Sequence, residues 1–163
     1  MGLAEKIRER ELEPHHIFLA SFLAGLNEMG MLNQASVNVA GRRAGRYLAE
    51  YVKAQGDLPE PAGTIVETAQ RYVAHLDSLL RLGTRIEIGG DGKTTWCRVA
   101  SNGCRFCPKG VGEAELEGTI CPYPGMIEEF VNQLLPDGQK VSLVMTNRRP
   151  LVKDGGDCLV RLE

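Results

Sequence analysis

Thr84-Arg-Ile-Glu-Ile-Gly-Gly-Asp-Gly-Lys-Thr-Thr-Trp-Cys-Arg-Val-Ala100 is where the chain changes character. Over Thr84 to Ile88, Ile86 and Ile88 alternate with polar neighbours, a period of two that puts both on one face of a strand. Gly89-Gly-Asp-Gly92 supplies a turn, and Thr94 to Ala100 forms the returning strand of a hairpin. The Gly92-Lys93-Thr94 step resembles the end of a phosphate-binding loop. The glycine that such a loop needs five residues earlier is Glu87 here, and the residues that follow favour a strand over a helix. A hairpin turn accounts for the step.

Everything before the hairpin reads as helix. Pro14 fits a first helical turn, and Ile17, Phe18, Ala20, Phe22, Leu23 and Leu26 make a broad apolar face ending near Gly30. A second helix covers about Leu32 to Gln55. Its centre, Ala40-Gly-Arg-Arg-Ala-Gly-Arg46, places Gly41 and Gly45 on one side, where another backbone approaches closely. Arg42, Arg43 and Arg46 read as a solvated face. After the Pro59 and Pro61 loop, Thr64 and Glu67 form a capping box that opens a third helix to about Arg81.

Beyond the hairpin come a cysteine loop, a helix over Pro124 to Leu135, and two further strands, Lys140 to Thr146 and Cys158 to Leu162. The order of elements gives an α+β class: N-terminal helices packed on a small antiparallel sheet with a cysteine-rich metal loop. Residues 1–13 read as an extension and 14–163 as one domain, a size that buries its own core. The formal net charge of −2 argues against a protein dominated by nucleic-acid phosphate contacts. No stretch is long and apolar enough for a membrane span, and Met1 to Arg10 lacks a signal-peptide core, so a cytoplasmic location is expected.

The five cysteines all fall in the second half. Cys104-Arg-Phe-Cys107 is a C-x-x-C step that brings two thiolates to one metal, and Cys121 and Cys158 complete a set of four. Structural zinc in a closed tetrahedral site is the leading expectation; an iron–sulfur cluster suits the same ligands. Such a metal offsets the entropy of ordering the glycine-rich stretch from Gly103 to Gly118. A dithiol redox pair ranks lower, because the step sits in a loop and not at a strand-to-helix junction. Cys97, beside Trp96 on a strand, reads as buried packing. His15 and His16, near a helix start, read as surface residues.

The chain also resembles the 4-vinyl reductase domain family, whose members are described as hydrocarbon-binding proteins. The features that carry the resemblance are the Val39 to Ala49 helix with its Gly-x-x-x-Gly, the strand ending in Ser101-Asn-Gly-Cys104, Ile120-Cys121 followed by Gly125, and Gly156-Asp-Cys-Leu-Val160. It implies a fold shared with ligand-binding domains of nitric-oxide signalling proteins and with Golgi transport-particle subunits. It also implies a hydrophobic pocket between helices and sheet. Cys121 and Cys158 match cysteines that hold zinc in the family's phenol sensors. Where those sensors place a glutamate and a further cysteine, this chain has Thr146-Asn-Arg-Arg-Pro150, so Cys104 and Cys107 are expected to complete the site.

The resulting expectation is a non-enzymatic domain that binds a small hydrophobic or aromatic molecule, with zinc locking one end. Candidate pocket residues are Phe18, Phe22, Leu26, Tyr47, Tyr51, Tyr72, Trp96 and Phe130. A homodimer through Gly41 and Gly45 and a separate effector protein are the expected partners. The alternatives are an iron–sulfur or thiol redox protein, including a component of a tetrapyrrole vinyl reductase, and a structural assembly subunit.

Overall fold

The computed structural model describes residues 2–163. Helices α1 (Leu3–Glu9), α2 (Pro14–Glu28), α3 (Gln34–Gln55) and α4 (Ile65–Leu80) precede strands β1 (Ile86–Gly90) and β2 (Thr95–Val99). Helix α5 (Tyr123–Leu134) and strands β3 (Leu151–Asp154) and β4 (Asp157–Leu162) follow. This is the expected α+β arrangement, with one antiparallel sheet in the order β1-β2-β4-β3.

Local chemistry sets the helix ends. The Asn33 side chain accepts the Ser36 N–H at 2.9 Å to start α3, and Gly56 ends it at φ 70°, a left-handed conformation that costs glycine little. Thr64 and Glu67 form the anticipated capping box on α4.

Gly41 and Gly45 are where α3 meets α5. A Cβ on Gly41 would lie 2.5 Å from the Pro122 carbonyl oxygen, and one on Gly45 would lie 2.9 Å from the Phe130 nitrogen. The close backbone approach read from their spacing is therefore made by a helix of the same chain. The two glycines are buried in that contact and offer no surface to a second copy. Around it, Tyr72, Leu76, Tyr123, Ile127, Phe130 and Val131 are fully buried between helices and sheet.

The sheet register places the cysteines. Cys97 on β2 pairs with Ile88 and Val160, and Val99 pairs with Cys158. Thr95, Cys97 and Val99 are buried on the helix side of β2. Cys158, in register with Val99, shares that side at the start of β4.

One expectation needs correction. Lys140 to Thr146 forms no continuous strand; it lies against the end of β4 through the Leu143 to Leu162 bridge and backbone hydrogen bonds of Ser142 with Glu163 and of Val144 with Arg161, and bridges Thr146 to Arg149. The second hairpin is β3–β4, turned by Gly155 and Gly156 at φ 57° and 91°, a glycine pair suited to two positive φ angles in succession. Residues 2–13, read from sequence as an extension, are structured and packed. They include α1, and Arg10 is buried against the cysteine loop. Among the described residues no helix is long and apolar enough to cross a membrane.

Candidate metal centre

Cys104 follows β2 on a segment that runs back along the entry to β1. Gly83 bridges Cys104, Thr84 N–H donates to the Gly103 carbonyl at 3.0 Å, and Arg105 N–H donates to the Leu82 carbonyl at 3.0 Å. Two buried arginines fix this segment from the N-terminal side. Arg10 donates to the Cys104 carbonyl at 2.8 Å. Arg105 donates to the Arg10 carbonyl at 2.6 Å and to the Glu11 carboxylate at 2.9 Å. The other cysteines are held just as locally. Gly110 N–H donates to Cys107 Sγ at 3.2 Å. Cys121 N–H donates to Gln34 Oε1 at 3.1 Å, while the Gln34 amide donates back to the Cys121 carbonyl at 3.0 Å, which ties the entry to α5 to the start of α3. Lys153 Nζ, opposite Cys158 in the β3–β4 register, donates to Cys158 Sγ at 2.9 Å and to Ser101 Oγ at 2.6 Å.

These placements converge. Cys104, Cys107, Cys121 and Cys158 all line one cavity of about 190 Å³, together with Val99, Tyr123 and Lys153. All five cysteines are free thiols. Interaction with Cys107, with burial added, raises the Cys104 pKa well above the ordinary thiol value. The same interaction lowers Cys107 to about 6, helped by the backbone N–H groups of Gly110 and Lys109 and the charge of Arg10. Burial pushes Cys121 up strongly. A centre that is thiolate on one side and costly to ionise on the other suits a bound cation, which supplies the compensating charge.

The spacing of the sulfurs is informative about size. Among the described residues, Glu13, His15 and His16 are the one group of three potential ligands whose donor atoms all lie within 4.8 Å of one another. No three of the four cysteine sulfurs pack that tightly. A tetrahedral zinc with Zn–S bonds of about 2.3 Å holds its sulfurs only about 3.8 Å apart. The Glu13–His15–His16 group is itself committed elsewhere. His16 Nδ1 accepts the Glu13 N–H and Nε2 lies 2.8 Å from the Leu80 carbonyl, so neither ring nitrogen is free. His16 is fully buried, against the surface position expected for it.

Cys97 stays apart. It is 2 % exposed in the core, burial raises its pKa to about 12, and it does not line the cysteine cavity. The eight candidate pocket residues do not converge. Phe18 and Phe22 stack on the exposed side of α2, and Tyr47 and Tyr51 are exposed on α3. Leu26 is half-buried on α2, Trp96 half-buried over Gly89, and Tyr72 and Phe130 fully buried in the core. The arginines of α3 divide: Arg42 pairs with Glu128, while Arg43 lies over the Tyr47 ring at 5.3 Å.

Ser101, Tyr123 and Lys153 were not singled out from sequence. Tyr123 carried a local signal, since it follows Cys121-Pro122 at a helix start. Lys153 had none, because its partnership with Cys158 depends on the β3–β4 register.

Fold and site together define a small α+β domain with four thiols converging on one cavity at the sheet's end. The chain belongs to the MJ0207 family, whose model matches residues 30–163. It is similar to the uncharacterized protein MJ1342 of Methanocaldococcus jannaschii, with 33% identity over 60 residues, 37% of this chain and 52% of that one. It is also similar to the uncharacterized protein MJ0207 of the same organism, with 26% identity over 102 residues, 63% of this chain and 60% of that one. The chain thus spans between half and two thirds of the length of these relatives. No solved structure matches. The resemblance to 4-vinyl reductase domains rests on the motifs quoted from the sequence alone.

Proposed function

We propose that this chain is an iron–sulfur redox domain whose cluster is held by Cys104, Cys107, Cys121 and Cys158. The observation that carries the reading is the convergence of the four thiols on one cavity, where no three sulfurs lie within 4.8 Å of one another. A cluster spreads its thiolate ligands over several metal atoms, an arrangement compatible with that spacing. The surroundings fit as well. The Gly110 N–H and the Lys153 ammonium point at ligand sulfurs, and hydrogen bonds and charge at the sulfurs tune a cluster's potential. Bound there, the cluster would supply one-electron chemistry. The chain's own residues hold it: Arg10 and Arg105 brace the Cys104 backbone, Gln34 braces Cys121, and Lys153 offsets the negative charge at Cys158.

Structural zinc beside a hydrophobic ligand is the other reading of the same cysteines. It requires the sulfurs to contract, and the aromatic residues that would form its pocket lie apart.

The test is metal and sulfide content of protein purified anaerobically, compared with single cysteine variants. Cys104→Ser, Cys121→Ser and Cys158→Ser should each lose most of the iron and acid-labile sulfide and melt lower. Cys97→Ala should keep the full complement. Retained iron in all three serine variants, or its loss in Cys97→Ala, contradicts the ligand assignment.

A further inference from the structure

A second cavity, of about 520 Å³, opens beside the cysteine cavity. Its wall carries Arg148, Arg149 and Lys153 together with Thr119, Thr146 and Asn147, and no carboxylate side chain lines it. This concentration of positive charge stands on a chain whose formal net charge is −2. It is also unspent. Arg42, Arg81, Arg85, Arg98 and Arg105 each pair with a carboxylate. Among the described residues, the guanidinium groups of Arg148 and Arg149 form no ion pair or side-chain hydrogen bond.

The loop that presents them is a built turn. Thr146 and Arg149 exchange backbone hydrogen bonds of 2.9 and 3.0 Å, and Arg161 donates to Thr146 Oγ1 at 2.8 Å from the neighbouring strand. The two central residues, Asn147 and Arg148, have φ of 51° and 62°. A two-residue turn with both φ angles positive ordinarily has asparagine and then glycine. Asparagine is present, but an arginine takes the glycine position at a conformational cost. Lys153 closes the third side. Two of its three ammonium donors are directed at Ser101 and Cys158, which leaves one for a ligand.

We propose that this cavity binds a small, multiply charged anion through carboxylate or phosphate groups, held by Arg148 and Arg149 with Thr119 and Lys153. Planar guanidinium groups recognise both kinds of oxyanion through paired N–H donors. Thr119 and Lys153 line the cysteine cavity too, so the anion sits next to Cys158, on the side where the proposed centre meets solvent. The proposal stands on this cavity and its charge, whatever the cysteines hold.

Calorimetric titration of the full chain with citrate and, separately, with inorganic pyrophosphate tests it. Saturable one-to-one binding of at least one anion is expected, and the preferred one identifies carboxylate or phosphate chemistry. Arg148→Gly and Arg149→Gln should each weaken that binding by about tenfold or more, the scale of a lost charge-assisted contact. Arg148→Gly should melt at or above the wild-type temperature, because glycine accepts the turn's backbone angles, so its weaker binding does not reflect unfolding. Absence of saturable binding by both anions overturns the proposal. So does undiminished binding in the Arg148→Gly, Arg149→Gln double variant.

Discussion

Both ring nitrogens of His16 are committed to the backbone. Nδ1 accepts from Glu13 N–H at 2.8 Å, which leaves the proton on Nε2, directed at the Leu80 carbonyl at 2.8 Å. Protonation would break the first of these bonds, and burial lowers the pKa further, against the opposing pull of the Leu80 carbonyl. The sign of the pH effect follows. The unfolded chain takes up the proton first as pH falls through about 6.5, so the stability from neutral His16 is present above that pH and is lost below it. Melting of the wild type should therefore decline between pH 7 and 5, with a slope approaching at most about 1.4 kcal/mol per pH unit from this one proton. A His16→Gln variant should show a shallower decline; an identical slope would assign the acid sensitivity elsewhere. At this scale the sequence was a poor guide. A histidine in a Pro-His-His helix start looks solvent-facing, and the ring of Phe106 and the Leu80 carbonyl that enclose it come from far along the chain. Cys97 was legible because strand alternation decides its face.

Elements with their own chemistry were readable. The Thr64 capping box and the Ile86 to Val99 hairpin carry local signals, and the structure places both where those signals lie. Lys140 to Thr146 was read as a full strand, but it meets β4 only at the chain's end, around Ser142 and Val144, while the Gly155-Gly156 turn pairs β3 with most of β4. The α3–α5 contact lies between these cases: the spacing of Gly41 and Gly45 announced a close approach without naming the partner. It gives a clear prediction. Alanine at Gly45 gains up to about 1 kcal/mol of helix propensity. Its methyl, however, meets the Met126 carbonyl and the Phe130 nitrogen, which are backbone atoms that cannot rotate away. Overpacking of this kind costs about 1–3 kcal/mol, so Gly45→Ala should unfold at lower urea. A stabilised variant would mean that the helices separate easily.

On the scale of the whole molecule, the four cysteines come from widely separated parts of the chain: the segment after β2, the entry to α5, and β4. Residue type marked them as candidate ligands, but only the assembled sheet shows that Cys158 reaches the same cavity as the C-x-x-C step. The N-terminal brace was not legible, because Arg10 and Arg105 acquire their meaning from contacts across the chain. The distances between the sulfurs are a purely three-dimensional quantity. The most direct test of the cluster is therefore Mössbauer spectroscopy, with iron and sulfide counted on the same iron-57-enriched, anaerobically purified sample. A cluster predicts about two to four irons per chain in sulfur coordination, with matching sulfide. A colourless protein with one zinc per chain and no sulfide would contradict it.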